Sequence, residues 1–255
     1  MTTIYLATLN SAPQHLALVE FGKKKEKPGI LISFAHLSSM KDLVKEYKGY
    51  KLVLDSGAYS AYNSGKVIDI EALIEETKNP IWGESVALDV IGDAEGSVKN
   101  SLYMKSKGSP AYPVFHYGDP WEHLAEYKKE FPKVGLSCRF GETVEEATAW
   151  LEQCFARAWP HKFHSFGWTQ ESTLMKFPFH SADSSSWTAA GRFGKWFFAR
   201  GQHLGLNRPS ARKAAGDLYM MPEIQHYFKL QQKVQSKWRV EFLKQGWIEQ
   251  EKINA

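Results

Sequence analysis

Residues 52–62 read Leu-Val-Leu-Asp-Ser-Gly-Ala-Tyr-Ser-Ala-Tyr. A short apolar run stops at a carboxylate, and a glycine follows two residues later. A run this short with a polar boundary reads as a buried strand. The pattern recurs along the chain. The further candidates are Ile4–Leu9, Ile30–Phe34, Val86–Leu88 before Asp89, Tyr112–Phe115 before His116, Val134–Leu136 before Ser137, Phe163 beside His164, and Phe179–Ala182 before Asp183. With Leu52–Leu54 they make eight.

Helix-like stretches lie between them. Ile70–Thr77 follows Asp69 as an N-cap, and Trp121–Glu130 follows Pro120. Val144–Ala158 follows Thr143, with Glu146 in place to complete a capping box. A short helix opens near Thr169 and stops at Pro178. Strands alternating with helices imply parallel βαβ units, and eight of them in 255 residues fit a TIM-type (β/α)8 barrel. The barrel is assigned to residues 1–190. Residues 191–255 read as a basic, aromatic-rich helical extension packed on it, with a helical stretch over Pro222–Ile248.

The composition, 43% hydrophobic and 24% charged, excludes wholesale disorder. No apolar run reaches the roughly 18 residues a membrane helix needs. The N-terminus lacks the pattern of a secretion signal. The expected location is the cytoplasm (the host's, for a phage-encoded chain). Cys138 and Cys154 are too few for a zinc site, so no metal is expected. The net charge of +4 is uneven: after Trp187 there are 12 Lys/Arg against 5 Asp/Glu, which leaves the first 187 residues at −3. A basic tail on a mildly acidic body suits a polyanion, or a solvated lysine-rich helix.

In a parallel barrel the C-terminal strand ends open onto one face, where the chemistry sits. Asp55, Asp89, His116, Ser137, Ser165 and Asp183 would therefore converge. Each has a plainer reading. Asp55 before Ser-Gly suits a turn, Asp89 a cap or ion pair, and His116 a structural histidine. Asp183 would be costly to bury without a partner. The chain has no phosphate-binding glycine loop, dinucleotide fingerprint or nucleophile elbow. Carboxylates gathered in one pocket point to glycosyl chemistry.

The segments "LDSGAYSA", "ALDVIGD", "PVFHYG", "VGLS", "FHSFG" and "SADSSSW" occur in this order. The set resembles the barrel motifs of the tRNA-guanine (queuine) transglycosylases. It is closer to the small phage and bacterial relatives that place 7-deazaguanines in DNA. The zinc-binding cysteines of the tRNA enzymes are absent, which favours the DNA branch. The resemblance implies a pentosyl-transferring enzyme that exchanges guanine in DNA for a free, preQ0-type 7-deazaguanine base. It needs no cofactor and no membrane, and it leaves monomer and homodimer open.

In that scheme Asp183 attacks C1′ as nucleophile and Asp55 manages the proton. Asp89, His116, Ser137, Gly135, Tyr59, Ser165, Phe166 and Gly167 line the base pocket. Arg192, Lys195, Trp196, Arg200, Arg208, Arg212 and Lys213 would meet the nucleic acid. The rival readings are the same exchange on tRNA, a sugar-processing hydrolase, and a non-catalytic DNA-binding barrel.

Overall fold

The computed structural model describes residues 1–7, 12–24, 26–138, 143–189, 195–196, 202–203 and 209–248. Eight strands form near the expected places, the fourth over Glu84–Ser85 with only Val86 of the expected Val86–Leu88 in a bridge. They are β1 Thr3–Leu6, β2 Gly29–Ser33, β3 Lys51–Asp55, β4 Glu84–Ser85, β5 Val114–His116, β6 Lys133–Ser137, β7 Lys162–Phe166 and β8 Ser181–Ser184. Every pairing is parallel, in the order β4-β3-β2-β1-β8-β7-β6-β5. The two ends meet through a parallel bridge between Val86 and Tyr112. There Tyr112 N donates to Ser85 O and Ala87 N to Tyr112 O, both at 2.9 Å. The chain is thus an α/β barrel of the TIM type.

Strand parity explains the two cores. Successive side chains point to opposite faces. Ile4, Leu6, Ile30, Ile32, Leu52, Leu54, Val134 and Leu136 face outward and pack under the helices. Tyr5, Ala7, Leu31, Val53, Val86, Tyr112 and Val114 form a smaller inner cluster, with Phe166 against it. Two residues beyond inward Val53 lies Asp55, and two beyond inward Val114 lies His116. The alternation that builds the core thus also aims these groups into the mouth. β8 begins two residues later than its apolar pattern suggests, because Phe179 N bonds to Phe177 O in a turn. Asp183 is therefore a strand residue, not a loop residue after one.

Apart from the single turns Phe34–Leu37 and Lys41–Val44, the α-helices are α1 Ala12–Lys24, α2 Ala58–Ser64, α3 Ile70–Thr77, α4 Ala94–Ser106, α5 Trp121–Glu130, α6 Val144–Ala158, α7 Glu171–Lys176 and α8 Pro209–Lys244. Asp69 caps α3 by accepting from Glu71 N and Ala72 N, and Thr143 with Glu146 closes the capping box of α6. After β8 the strand pair β9 Lys195–Trp196 and β10 Gln202–His203 runs antiparallel.

Helix α8 starts earlier than the stretch from Pro222 that its sequence pattern marks. It packs on α1, α7, β1 and the turn at Ser186–Thr188. Ile224, Leu230 and Val234 are buried there. Gln231 Oε1 accepts from Ile4 N and Gln235 Nε2 donates to Thr2 O, each at 2.7 Å, and Trp238 Nε1 donates to Leu174 O at 2.8 Å. The helix fills the place between the first and last helices of the ring. No helix among the described residues is long and apolar enough to cross a membrane.

Candidate active site

Asp183 is buried, and its Oδ1 accepts from Gly167 N at 3.1 Å and faces His164 Nε2 at 3.2 Å. Burial pushes its carboxyl up to about 7, while the Gly167 N–H pulls the other way. Asp55 Oδ2 accepts from Gly57 N at 3.0 Å. Its carboxyl is also raised to about 7, first by burial, then by the charge of Asp89 and, less, by that of Asp183. Gly57 has φ +80°, and a Cβ there would stand 2.7 Å from Ala35 N. Only glycine allows this turn, which folds the chain back so that its amide meets the acid.

Asp89 follows β4. Its Oδ1 accepts from Ser56 Oγ at 3.3 Å, and its Oδ2 lies 3.1 Å from His116 Nε2. On the other side of the imidazole, His116 Nδ1 lies 3.6 Å from Asp119 Oδ2, which also accepts from His116 N at 2.9 Å. Burial, the largest single influence, pulls the imidazole pKa down. The hydrogen bonds and charges of Asp119 and Asp89 together outweigh it and raise it to about 9. His116 is thus an imidazolium held between two carboxylates.

The structure brings Asp55, Asp89, His116 and Asp183 to one mouth. Other residues expected there are otherwise occupied. Gly135 N donates to Pro113 O at 2.8 Å, and the Phe166 ring fills the place a Cβ would take. Phe166 packs edge-on against His164, with centroids 4.4 Å apart. Ser165 is buried and donates to Trp168 O, and Gly167 N is taken by Asp183. Ser137 ends β6, its carbonyl accepting from Tyr117 N. Tyr59 is exposed on α2. Arg192, Arg200 and Arg208 lie outside the described residues, as do the side chains of Lys195, Trp196, Arg212 and Lys213.

Sequence reasoning missed Asp119, His164, Lys133, Glu84 and Ser181. Asp119 was legible as an acid three residues after His116 in a Gly-containing turn. The others lie at inward positions of strands, and parity counted from Asp183 or Ser137 reaches Ser181 and Lys133. Among the described residues no group of three His, Cys, Asp or Glu is arranged to hold a metal ion.

These shifts set the pH dependence of folding. Asp55, Asp183 and His116 bind protons more tightly in the fold than in the open chain. Each contributes stability that is lost as pH rises through its folded value, about 7 for the acids and about 9 for His116. Burial holds His161, His164, His180 and His226 below their ordinary range. These four cost stability once the open chain's histidines protonate, below about pH 6.5. Lys133, lowered by burial to about 8, acts in the opposite sense only above that pH. The thermal midpoint is expected to peak near pH 6.5 and to fall on both sides. A melting series from pH 4.5 to 8.5 checks this, and a midpoint climbing steadily to pH 8.5 contradicts it.

The fold and the mouth together define a parallel barrel with an acid-rich site. Among the solved structures this chain is similar to are chains of tryptophan synthase. A chain of the tryptophan synthase α2β2 complex of the hyperthermophile Pyrococcus furiosus is 12% identical, with TM-score 0.54 over 89% of this chain and 98% of that one. An alpha subunit from the same organism is 14% identical, with TM-score 0.54 over 89% and 97%. The alpha chain of Legionella pneumophila is 10% identical, with TM-score 0.51 over 89% and 92%. At these identities the likeness is one of fold. No family model matches the sequence, and no curated protein matches it.

The transglycosylase reading is corrected accordingly. The three solved chains of like fold named above are tryptophan synthase chains, and no family model or curated protein ties this sequence to base exchange, 7-deazaguanine or DNA modification. The glycosyltransferase assignment, with Asp183 as nucleophile at C1′, goes with it. The physical reason is visible in the motifs. Asp55-Ser56-Gly57 is a turn closed by the acid on the glycine amide, and Ser56 ties it to Asp89. An Asp that closes a turn on a backbone amide serves the backbone without any ligand, so short matches in order do not distinguish one barrel chemistry from another.

Proposed function

We propose that this chain is an acid–base enzyme. It moves protons on a small molecule held at the C-terminal mouth of the barrel, with Asp183 and Asp55 as the proton-transferring groups. One observation carries the reading: two buried carboxyls, Asp183 on β8 and Asp55 at the end of β3, share one mouth with Asp89, and burial raises both towards about 7. A group with its pKa near the working pH can both take and give a proton. Burial and the charge of Asp89, with a smaller push from Asp183, raise Asp55, so a protonated Asp55 can stand beside an ionised Asp183. That supplies one base and one acid at the same pH, the requirement of isomerisations and lyase-type bond cleavages. The His116 imidazolium is committed at both nitrogens to Asp89 and Asp119 and holds those two carboxylates in place. The described part of the mouth holds four carboxyls and this one cation, which suits a ligand rich in hydrogen-bond donors. Likeness to tryptophan synthase chains supports the reading only through the shared barrel.

The test uses the full chain and a small-molecule extract of cells, incubated in D2O and followed by mass spectrometry. At least one component should gain deuterium or convert to product with the wild type. It should not do so with Asp183→Asn or Asp55→Asn. An extract left unchanged by the wild type, or changed equally by both variants, refutes the proposal.

A further inference from the structure

A line of polar groups runs below the mouth, through the barrel interior. Lys133, the first residue of β6, is buried. Its ammonium contacts the carboxylate of Glu84 at the start of β4, donates to Ser181 Oγ at 2.7 Å, and lies 4.6 Å from the Tyr112 ring centroid. Ser181 Oγ is 2.8 Å from His164 Nδ1, and His164 Nε2 is 3.2 Å from Asp183 Oδ1. Four contacts thus link Glu84 to the mouth acid.

Donor counting gives the line a direction. An ammonium has donors only, so Ser181 Oγ accepts from Lys133. The serine's own proton then points at His164 Nδ1. His164 is fully buried, and burial, with the nearby Lys133 charge, holds it neutral. With Nδ1 accepting, its single proton sits on Nε2, aimed at Asp183 Oδ1. The Gly167 N–H meets the same oxygen. Oδ1 is saturated with two donors, and Oδ2 is left to exchange a proton with whatever the mouth holds.

We propose that Lys133 is a positioning residue. Through Ser181 it fixes the Nε2–H tautomer of His164, and so keeps Asp183 Oδ1 an acceptor and Oδ2 the working oxygen. The role of Oδ2 rests on the acid–base reading above. The tautomer does not, and it is measured without substrate. A buried Lys133–Glu84 pair that served only the fold would leave the tautomer indifferent to Ser181. Asp183 sits beside Tyr5 of β1 and meets His164 and Gly167 of β7, its charge reaches Asp55 of β3 and Tyr112 before β5, and Lys133 of β6 and Glu84 of β4 reach it through Ser181 and His164. The test must therefore change the line without changing these charges.

Ser181→Ala does so, and Ser181→Thr restores the hydroxyl. In the 15N-labelled full chain, long-range imidazole correlations report the His164 tautomer, and aspartate carboxyl 13C shifts report the Asp183 titration. The wild type should show neutral His164 protonated on Nε2 from pH 5 to 7, where Lys133 is still an ammonium. Ser181→Ala should populate the Nδ1–H form and raise the Asp183 midpoint by about one pH unit, because a donor to the ionised acid is lost. Ser181→Thr should restore both, and Lys133→Met combined with Glu84→Gln, which keeps the net charge of the line, should shift the tautomer as Ser181→Ala does. A wild-type His164 that is protonated, or neutral on Nδ1, overturns the proposal. So does a Ser181→Ala variant with tautomer and midpoint unchanged. The wild-type measurement stands even if a variant fails to fold. A confirmed tautomer with no deuterium uptake from the extract would remove the enzymatic reading alone.

Discussion

Asp183→Asn is expected to lower the turnover detected by deuterium uptake by about 10²–10⁴-fold, the usual worth of a positioned acid or base. It should also stabilise the fold at alkaline pH. The amide oxygen can still accept from Gly167 N and His164 Nε2, so the local hydrogen bonds survive. What disappears is the cost of an ionised carboxylate in a buried site. The folded value of about 7 lies above the model value of 3.8. The acid form is therefore favoured in the fold, and the cost is fully present above pH 7 and absent below about pH 4. It amounts to roughly 2–4 kcal/mol. At pH 8 the variant should melt above the wild type by several degrees, and at pH 4 the two should coincide. A variant less stable than wild type at pH 8 would mean that Asp183 is a structural acid. Activity that survives the substitution would remove it from the chemistry. Gain of stability with loss of activity is the signature of a site held under strain for function.

The sequence made the barrel legible because parallel strands buried on both faces leave apolar runs with polar ends. The acids at those ends were legible for the same reason. Asp55, Asp89, His116 and Asp183 needed only the rule that such ends share one mouth. Helices α3, α5 and α6 were legible from their caps and pattern. The apolar pattern placed β8 two residues early because Phe179 serves the outer core, not the strand. The inward polar line was not legible from composition. A lysine at a strand start reads as solvated, and only the closed barrel, which sets Lys133 beside Ser181, makes it buried. Function was the least legible of all, since capped strand ends follow from the needs of the backbone as readily as from those of a substrate.

Trp187 is the second residue whose loss should be severe. The stretch Asp183-Ser184-Ser185-Ser186-Trp187 has the composition of a linker, yet it is locked. Ser184 Oγ donates to Tyr227 Oη on α8 at 2.9 Å and accepts from Ser186 N at 3.2 Å. Trp187 is 1% exposed, and its Nε1 donates to Ala7 O at 2.7 Å. Ala7 N in turn donates to Ser184 O at 2.8 Å. The indole therefore closes the ends of β1 and β8 around the residue after Asp183, while α8 packs on the same turn. Trp187→Ala removes a large buried ring and leaves the Ala7 carbonyl without its donor. The expected loss is about 3–5 kcal/mol, on the order of 10 °C in melting midpoint for a chain of this size. Trp187→Phe keeps most of the volume and should lose about 1–3 kcal/mol, chiefly the hydrogen bond. Chemical unfolding of both variants reads these values. A Trp187→Ala loss below 1 kcal/mol would show that the β1–β8 junction holds without the indole, and that packing against α8 alone fixes the backbone that carries Asp183.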